Sequence, residues 1–218
     1  VPGVNVTVDP GVTLEVCGQI VNEGDVTVKN SGSILQTDVT NTNSGKGTYH
    51  IYRDATANPL EYHSISSPIT DAYIPTVFQE ENPCDLYCFD AESQNWLYDY
   101  TDGYQAVCGA STVTFNSSFI ISGGDGMMDL ARGYFATGDA DGNKLFEGEI
   151  NNGTIDVNVY ETGMGHQAAW NDDDWNLLGN PYPSALDLEA FYLENQSVLT
   201  GNFYFWVDDN SYGVNYDQ

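Results

Sequence analysis

Positive charge is what this sequence has least of. Its 218 residues carry five Lys and Arg against 32 Asp and Glu, a formal net charge of −27. Five scattered cations cannot form the patch that displaces phosphate counterions, which excludes nucleic-acid binding. An anionic membrane surface repels the chain for the same reason. Apolar runs are short, and none approaches the roughly 18 residues that a membrane-spanning helix needs. Val1 begins no basic or apolar leader, so a signal peptide is expected to be absent or already removed. Catalytic tools are scarce as well. His50, His63 and His166 sit in unrelated contexts, and the nucleophile elbow, the paired zinc histidines and the phosphate-cradling glycine loop are all missing. With 32 carboxylates some acidic pair is inevitable, so a pair says nothing about glycosidase chemistry. The expectation is that the chain is not an enzyme.

What is present is the material for a core. Hydrophobic residues make up 41% and aromatics 13%, too much for a disordered acidic tail. The length suits one or two domains. The four cysteines, Cys17, Cys84, Cys88 and Cys108, fit one or two disulfides in an oxidising compartment, and four allow three pairings. A bridge from Cys84 or Cys88 to Cys108 is the preferred disulfide. Zinc is disfavoured because a C-x3-C pair with one later Cys and no nearby His lacks ligand spacing.

Period-2 alternation dominates the chain. Val4, Val6 and Val8, then Val12, Leu14 and Val16, then Val26 and Val28, then Ile34-Leu35 are short strands separated by turns at Gly11, Gly24 and Gly32. Such short rungs predict a β-solenoid-like stretch over residues 1–45 that buries its faces against its own neighbours. The alternative is a plain meander at the edge of a sandwich. Residues 41–48 are small and polar and read as a linker or long turn. After it, strands are expected at 49–53, 62–65, 86–89, 96–100, 111–115, 119–121, 133–136 and 144–150. Asn151-Asn152-Gly153 predicts a tight hairpin between 144–150 and 154–160. One helix is expected over 184–195, with Ser184 and Asp187 as a capping box. The segment from Phe203 to Val207 reads as a fully buried strand, and the chain end beyond it looks cut from a larger polypeptide. The fold class is all-β, with an antiparallel, jelly-roll-like β-sandwich over 46–218.

The segment Trp175-Asn176-Leu177-Leu178-Gly179-Asn180-Pro181-Tyr182-Pro183-Ser184 resembles the GNPYPS-type motif of large secreted surface proteins of Bacteroidota, many of them cargo of the type IX secretion system. Ser64 to Ile69, Leu86 to Asp90 with Trp96, Ala131 to Phe135, Phe146 to Gly153, and Phe203 to Trp206 are similar to further elements of that module, in the same order. The resemblance covers roughly residues 60–210, and the solenoid-like start is similar to what often precedes the module. It implies an adhesive or structural role outside the cell and no catalytic constellation. The sorting domain of such cargo is not among these residues, as expected of a fragment or processed chain, and the cysteines are not part of the motif. Physically the segment is a strand–turn–helix corner, with Pro181 and Pro183 fixing the backbone and Gly179 open to positive φ.

Two acidic loops are the metal candidates, and calcium is the hard cation they suit. Asp outnumbers Glu 21 to 11, as expected for carboxylates on tight turns. In Asp139-Ala140-Asp141-Gly142-Asn143 the ligands would be Asp139, Asp141 and Asn143. The loop starts like an EF-hand, but its Gly comes one position early and Ile150 stands at the closing position. A plain hairpin turn is the competing reading. Asp172, Asp173 and Asp174 repel one another, which an ion would relieve. Gly123-Gly124-Asp125-Gly126 begins like a calcium nonapeptide but meets Met128 where Asp is required. Trp96, Tyr98 and Tyr100 share one strand face and would stack sugar rings if exposed, or form core if buried.

The expected function is therefore a non-catalytic extracellular structural or adhesive module. Its partners would be neighbouring modules or copies of itself, assembled head to tail, without membrane insertion. The alternative is a calcium-dependent module that binds an extracellular glycan. Most of the negative charge is assigned to a solubilising shell.

Overall fold

The structure, a computed structural model, describes residues 3–38, 40, 42–54, 61–79, 86–92, 94–97, 100–101, 104–105, 126–137, 142–161, 174–206 and 216–217. It is mostly strand. The first six strands are β1 (Val6–Val8), β2 (Thr13–Val16), β3 (Val21–Asn22), β4 (Asp25–Val28), β5 (Ser33–Gln36) and β6 (Ser44–Gly45). They pair β1 with β4, β2 with β5 and β3 with β6, every pair parallel and in register. The chain thus runs through three short strands, turns three corners, and lays the next three strands on the first. Val6 on Val26 and Thr13 on Ser33 are steps of 20 residues, and Val21 on Ser44 is a step of 23. The repeated unit is Val-Thr-Val, at 6–8 and again at 26–28. The turn after each copy reaches a left-handed residue at the same place, Gly11 (φ 74°) and Ser31 (φ 62°), joined by a 3.0 Å bond from the Gly11 N–H to the Ser31 carbonyl.

A third layer begins at β7 (Thr48–Asp54), which pairs parallel with β4, Val26 facing Tyr49 and Val28 facing Ile51. On its other edge β7 takes β14 (Asn143–Gly148), antiparallel over six residues. Sheet β1-β4-β7-β14 therefore runs unbroken across the polar stretch 41–48.

The second four-stranded sheet is wholly antiparallel. It contains β8 (Tyr62–Ile65), β9 (Tyr87–Asp90), β10 (Asn95–Leu97) and β13 (Tyr134–Thr137), in the order β10-β9-β13-β8. Between β8 and β9 lies one turn of helix, α1 (Ile74–Val77), with Ile74 and Val77 buried. The strands β11 (Tyr100–Thr101) and β12 (Tyr104–Gln105) form a separate pair. So do β15 (Phe205–Trp206) and β16 (Tyr216–Asp217).

Both sheets feed one apolar cluster. Val8, Val28 and Ile34 from the coils and Tyr49 and Ile51 from β7 join Phe146, Ile65, Cys88 and Tyr134. Each aliphatic or aromatic side chain fully buried there contributes about 1.5–3 kcal/mol. Alternation puts Cys88, Tyr134 and Ile65 on the core face of the second sheet, leaving Phe89, Phe135 and Trp96 on the other.

Three local expectations are corrected. Residues 154–160 form no strand, and β14 pairs with β7 instead of folding back through Asn151-Asn152-Gly153. The reason is that the Asn151 side chain is buried and committed elsewhere. Helix α2 (Leu188–Asn195) starts one turn late, capped by Asp187 Oδ1 accepting from the Ala190 N–H at 3.0 Å. Ser184 cannot open it, because its carbonyl accepts from Asn180 Nδ2 in the preceding turn. The expected fully buried strand at 203–207 is described as strand only at Phe205–Trp206, and Phe205 is half-exposed. The strands expected at 111–115 and 119–121 lie outside the described residues, as do Cys84 and Cys108. Cys17 is an exposed thiol and Cys88 is buried in β9.

Candidate functional site

The richest polar constellation is built around residues 175–187. This segment crosses the molecule as a strap, bonded through its backbone and its side chains to several other segments. Gln94 grips Trp175 twice, its Oε1 accepting from the Trp175 N–H and its Nε2 donating to the Trp175 carbonyl, both at 2.9 Å. The Asn176 amide accepts from the Tyr160 N–H at 2.9 Å and donates to the Tyr160 carbonyl at 3.0 Å. Next to it, the Gly133 N–H donates to the Leu177 carbonyl and the Gly179 N–H to the Ala131 carbonyl, so the strap pairs with the turn before β13.

At Gly179 the backbones touch. A Cβ there would overlap that of Ser66 and fall 2.7 Å from the Arg132 carbonyl oxygen. Ser66 Oγ donates to the Asn180 carbonyl at 2.8 Å, and Asn180 Oδ1 holds the Tyr182 N–H at 3.0 Å. Buried Asn151 donates from Nδ2 to the Pro181 carbonyl at 2.8 Å and accepts from Thr70 Oγ1 at 2.9 Å. The Tyr182 hydroxyl donates to the Gly153 carbonyl at 2.7 Å. Burial, with the Asp156 carboxylate adding to it, holds that phenol above its usual range, so it remains a donor at neutral pH. Finally the Ile34 N–H donates to the Pro183 carbonyl at 3.0 Å, tying the strap to the second coil. Most of these bonds run between 175–187 and another segment, with a backbone group on one side or both. Such an arrangement fastens segments together.

The predicted ligand loops are largely out of view. Asp139, Asp141, Asp172 and Asp173 lie outside the described residues. Asn143 opens β14 opposite Asp54, and Asp174 is exposed in the left-handed region at φ 82°. Among the described residues no group of three or more His, Cys, Asp and Glu side chains is placed to hold a metal ion. Of the aromatic trio, Tyr98 lies outside the described residues, and Tyr100 belongs to the β11–β12 pair. Trp96 is 47% exposed on β10 and packs edge-on against Phe89 and Phe135, at 5.2 and 5.0 Å between ring centres. Sequence reasoning missed these two neighbours because they come from other strands. The signal available was the alternation of β9 and β13, which puts Phe89 and Phe135 on one parity.

Two other features went unread. His50 stands between carboxylates on the strands beside it, its Nδ1 2.8 Å from Glu147 Oε1 and its Nε2 3.7 Å from Asp25 Oδ1. The second is the end of the coil stack. A groove of about 350 Å³ opens there, lined by Val4, Val6, Leu14, Val16, Ile20 and Val21, with Tyr49 beneath them. Tyr49 is buried, and its hydroxyl has no hydrogen-bond partner among the described residues. Burial, helped by Glu149, pushes its pKa up to about 12.

The family model described as a domain of unknown function, DUF8693, matches residues 1–218, and the chain belongs to that family. No curated protein and no solved structure matches it.

Proposed function

We propose that the chain is a non-catalytic structural and adhesive module of an extracellular surface protein. Its coils would be the start of a β-solenoid and its two four-stranded sheets the body of a β-sandwich. The observation that carries this reading is the strap. Backbone groups of 175–187 are held by the side chains of Asn151, Ser66 and Gln94, and its own Asn176 and Tyr182 side chains hold the backbone at Tyr160 and Gly153, which supports a motif that specifies assembly of the fold. Its likeness to the GNPYPS-type modules of secreted surface proteins supports the extracellular setting. The half-exposed Trp96 favours one second reading, a carbohydrate-binding surface that requires calcium at Asp139–Asn143 or Asp172–Asp174. A glycan array probed with the intact protein, with and without chelator, separates the two. The structural reading expects no glycan retained. Binding that disappears in Trp96→Ala at an unchanged melting temperature would transfer the assignment to the second reading.

A further inference from the structure

We propose that the first coil is an open end, built to receive one more parallel coil of the same repeat, joined to the chain ahead of Gly3. This deepens the structural reading above by naming the neighbour that the module takes.

Among the described residues, strands β1, β2 and β3 are each paired on one edge only, and always with the strand of the next coil. Their free edges therefore all face the same end of the stack. The apolar positions respond accordingly. Val6 is 39% exposed and Leu14 37%, whereas their stacking equivalents Val26 and Ile34 are 8% and 2% exposed. Val21, on the third side, is 61% exposed. A solenoid end that meets solvent carries a polar cap, and this one carries an aliphatic groove.

The occupant follows from continuity with the interface already inside the chain. Coil two lies on coil one, and β7 on coil two, each by parallel in-register pairing. Each new layer is entered at a glycine corner, Gly24 and Gly47, and Gly3 stands at the same corner of the first coil. The fit there is close, since a Cβ on Gly24 would fall 2.6 Å from the Val4 carbonyl oxygen. A coil arriving through Gly3 would repeat that path without a change of direction. A second copy suits the groove less well. Two copies meeting end to end by a two-fold axis would bring antiparallel edges together. Head-to-tail docking has no free β7 edge to use, because β14 already occupies it. Each copy also brings a formal charge of −27.

The test is a tandem chain in which residues 3–23 are duplicated ahead of Gly3, followed by hydrogen–deuterium exchange. The proposal expects amides of both the added strands and the native β1–β3 to exchange about a hundredfold more slowly than β1–β3 in the native chain. Val21→Glu in the native copy should be tolerated in the single chain and should remove that protection in the tandem chain. An added coil that exchanges as unstructured chain beside an intact β4–β7–β14 sheet would overturn the proposal. So would concentration-dependent dimerisation of the native chain that protects β1–β3. If the tandem chain does not fold, a peptide of residues 25–46 added at millimolar concentration must slow β1 exchange at least about threefold, and no slowing overturns the proposal. None of these failures touches the structural reading, which stands on the strap and on the glycan test.

Discussion

The two ends of this fold are held by different means. Residues 3–45 form coils whose contacts repeat, so that Val6 meets Val26 and Thr13 meets Ser33 at a step of 20 residues, and Val21 meets Ser44 at a step of 23. The strap at 175–187 makes contacts that follow no repeat, with partners spread from Ile34 to Tyr160. In the coils a side chain is one of a series, and its neighbours above and below share its role. In the strap each bond to another segment joins a particular pair of residues that recurs nowhere along the segment. A repeated interface should absorb substitution by degrees, and a one-off interface should fail abruptly.

That contrast orders the expected effects. The largest is Gly179→Val, whose side chain has no room beside Ser66 and Arg132. It should cost about 3 kcal/mol or more in urea unfolding and often prevent folding. Asn151→Ala comes next. It leaves the Pro181 carbonyl and the Thr70 hydroxyl without their partner and should cost about 2–3 kcal/mol, visible as a lower urea midpoint at unchanged slope.

Tyr49 gives a pH-dependent effect at the coil–sheet junction. Its phenol holds its proton to about pH 12 in the folded chain, against about 10 when unfolded. Its contribution is therefore complete below pH 10 and is lost as pH rises towards 12, by roughly 2–3 kcal/mol. Tyr49→Phe should abolish that loss. At neutral pH the same variant should be neutral or up to about 1 kcal/mol more stable, because the hydroxyl it removes has no partner among the described residues. The smallest effect belongs to the repeat. Ser31→Gly puts at Ser31 the residue that its counterpart Gly11 already has, and should stabilise by about 0.5 kcal/mol in thermal melts. A Ser31→Gly effect as large as that of Asn151→Ala would remove the distinction between the two regions.

How far the sequence could be read follows the same division. The coil strands were legible, because period-2 valines between turns need only local information. Their true period was not. Anchoring on the glycines gives spacings of 13 and 8, while the stack is set by the two Val-Thr-Val copies 20 residues apart, where Ser31 takes the place of Gly11. The hairpin at 151–153 was misread because an Asn-Gly turn is a local signal, whereas β14 is claimed by β7 from nearly a hundred residues earlier. The helix start was misread because both Ser184 and Asp187 look like caps, and only the Asn180–Ser184 bond decides between them. The strap itself stood out as a motif. Nothing local could say that Asn151, Ser66 and Gln94 were its partners. Of the glycan candidates, Trp96 is the one whose exposure and ring neighbours are both described.

The strap ties the coils to the antiparallel sheet, through Pro183 to Ile34, through Pro181 to Asn151, and through Leu177 and Gly179 to the turn before β13, and should make them one cooperative unit. Native-state hydrogen exchange of the unmodified chain and of Asn151→Ala tests it most directly. The account predicts that amides of β4 and of β13 open with the same free energy, and that both fall together, by about 2–3 kcal/mol, in the variant. Protection lost around β13 alone, with β4 unchanged, would contradict it.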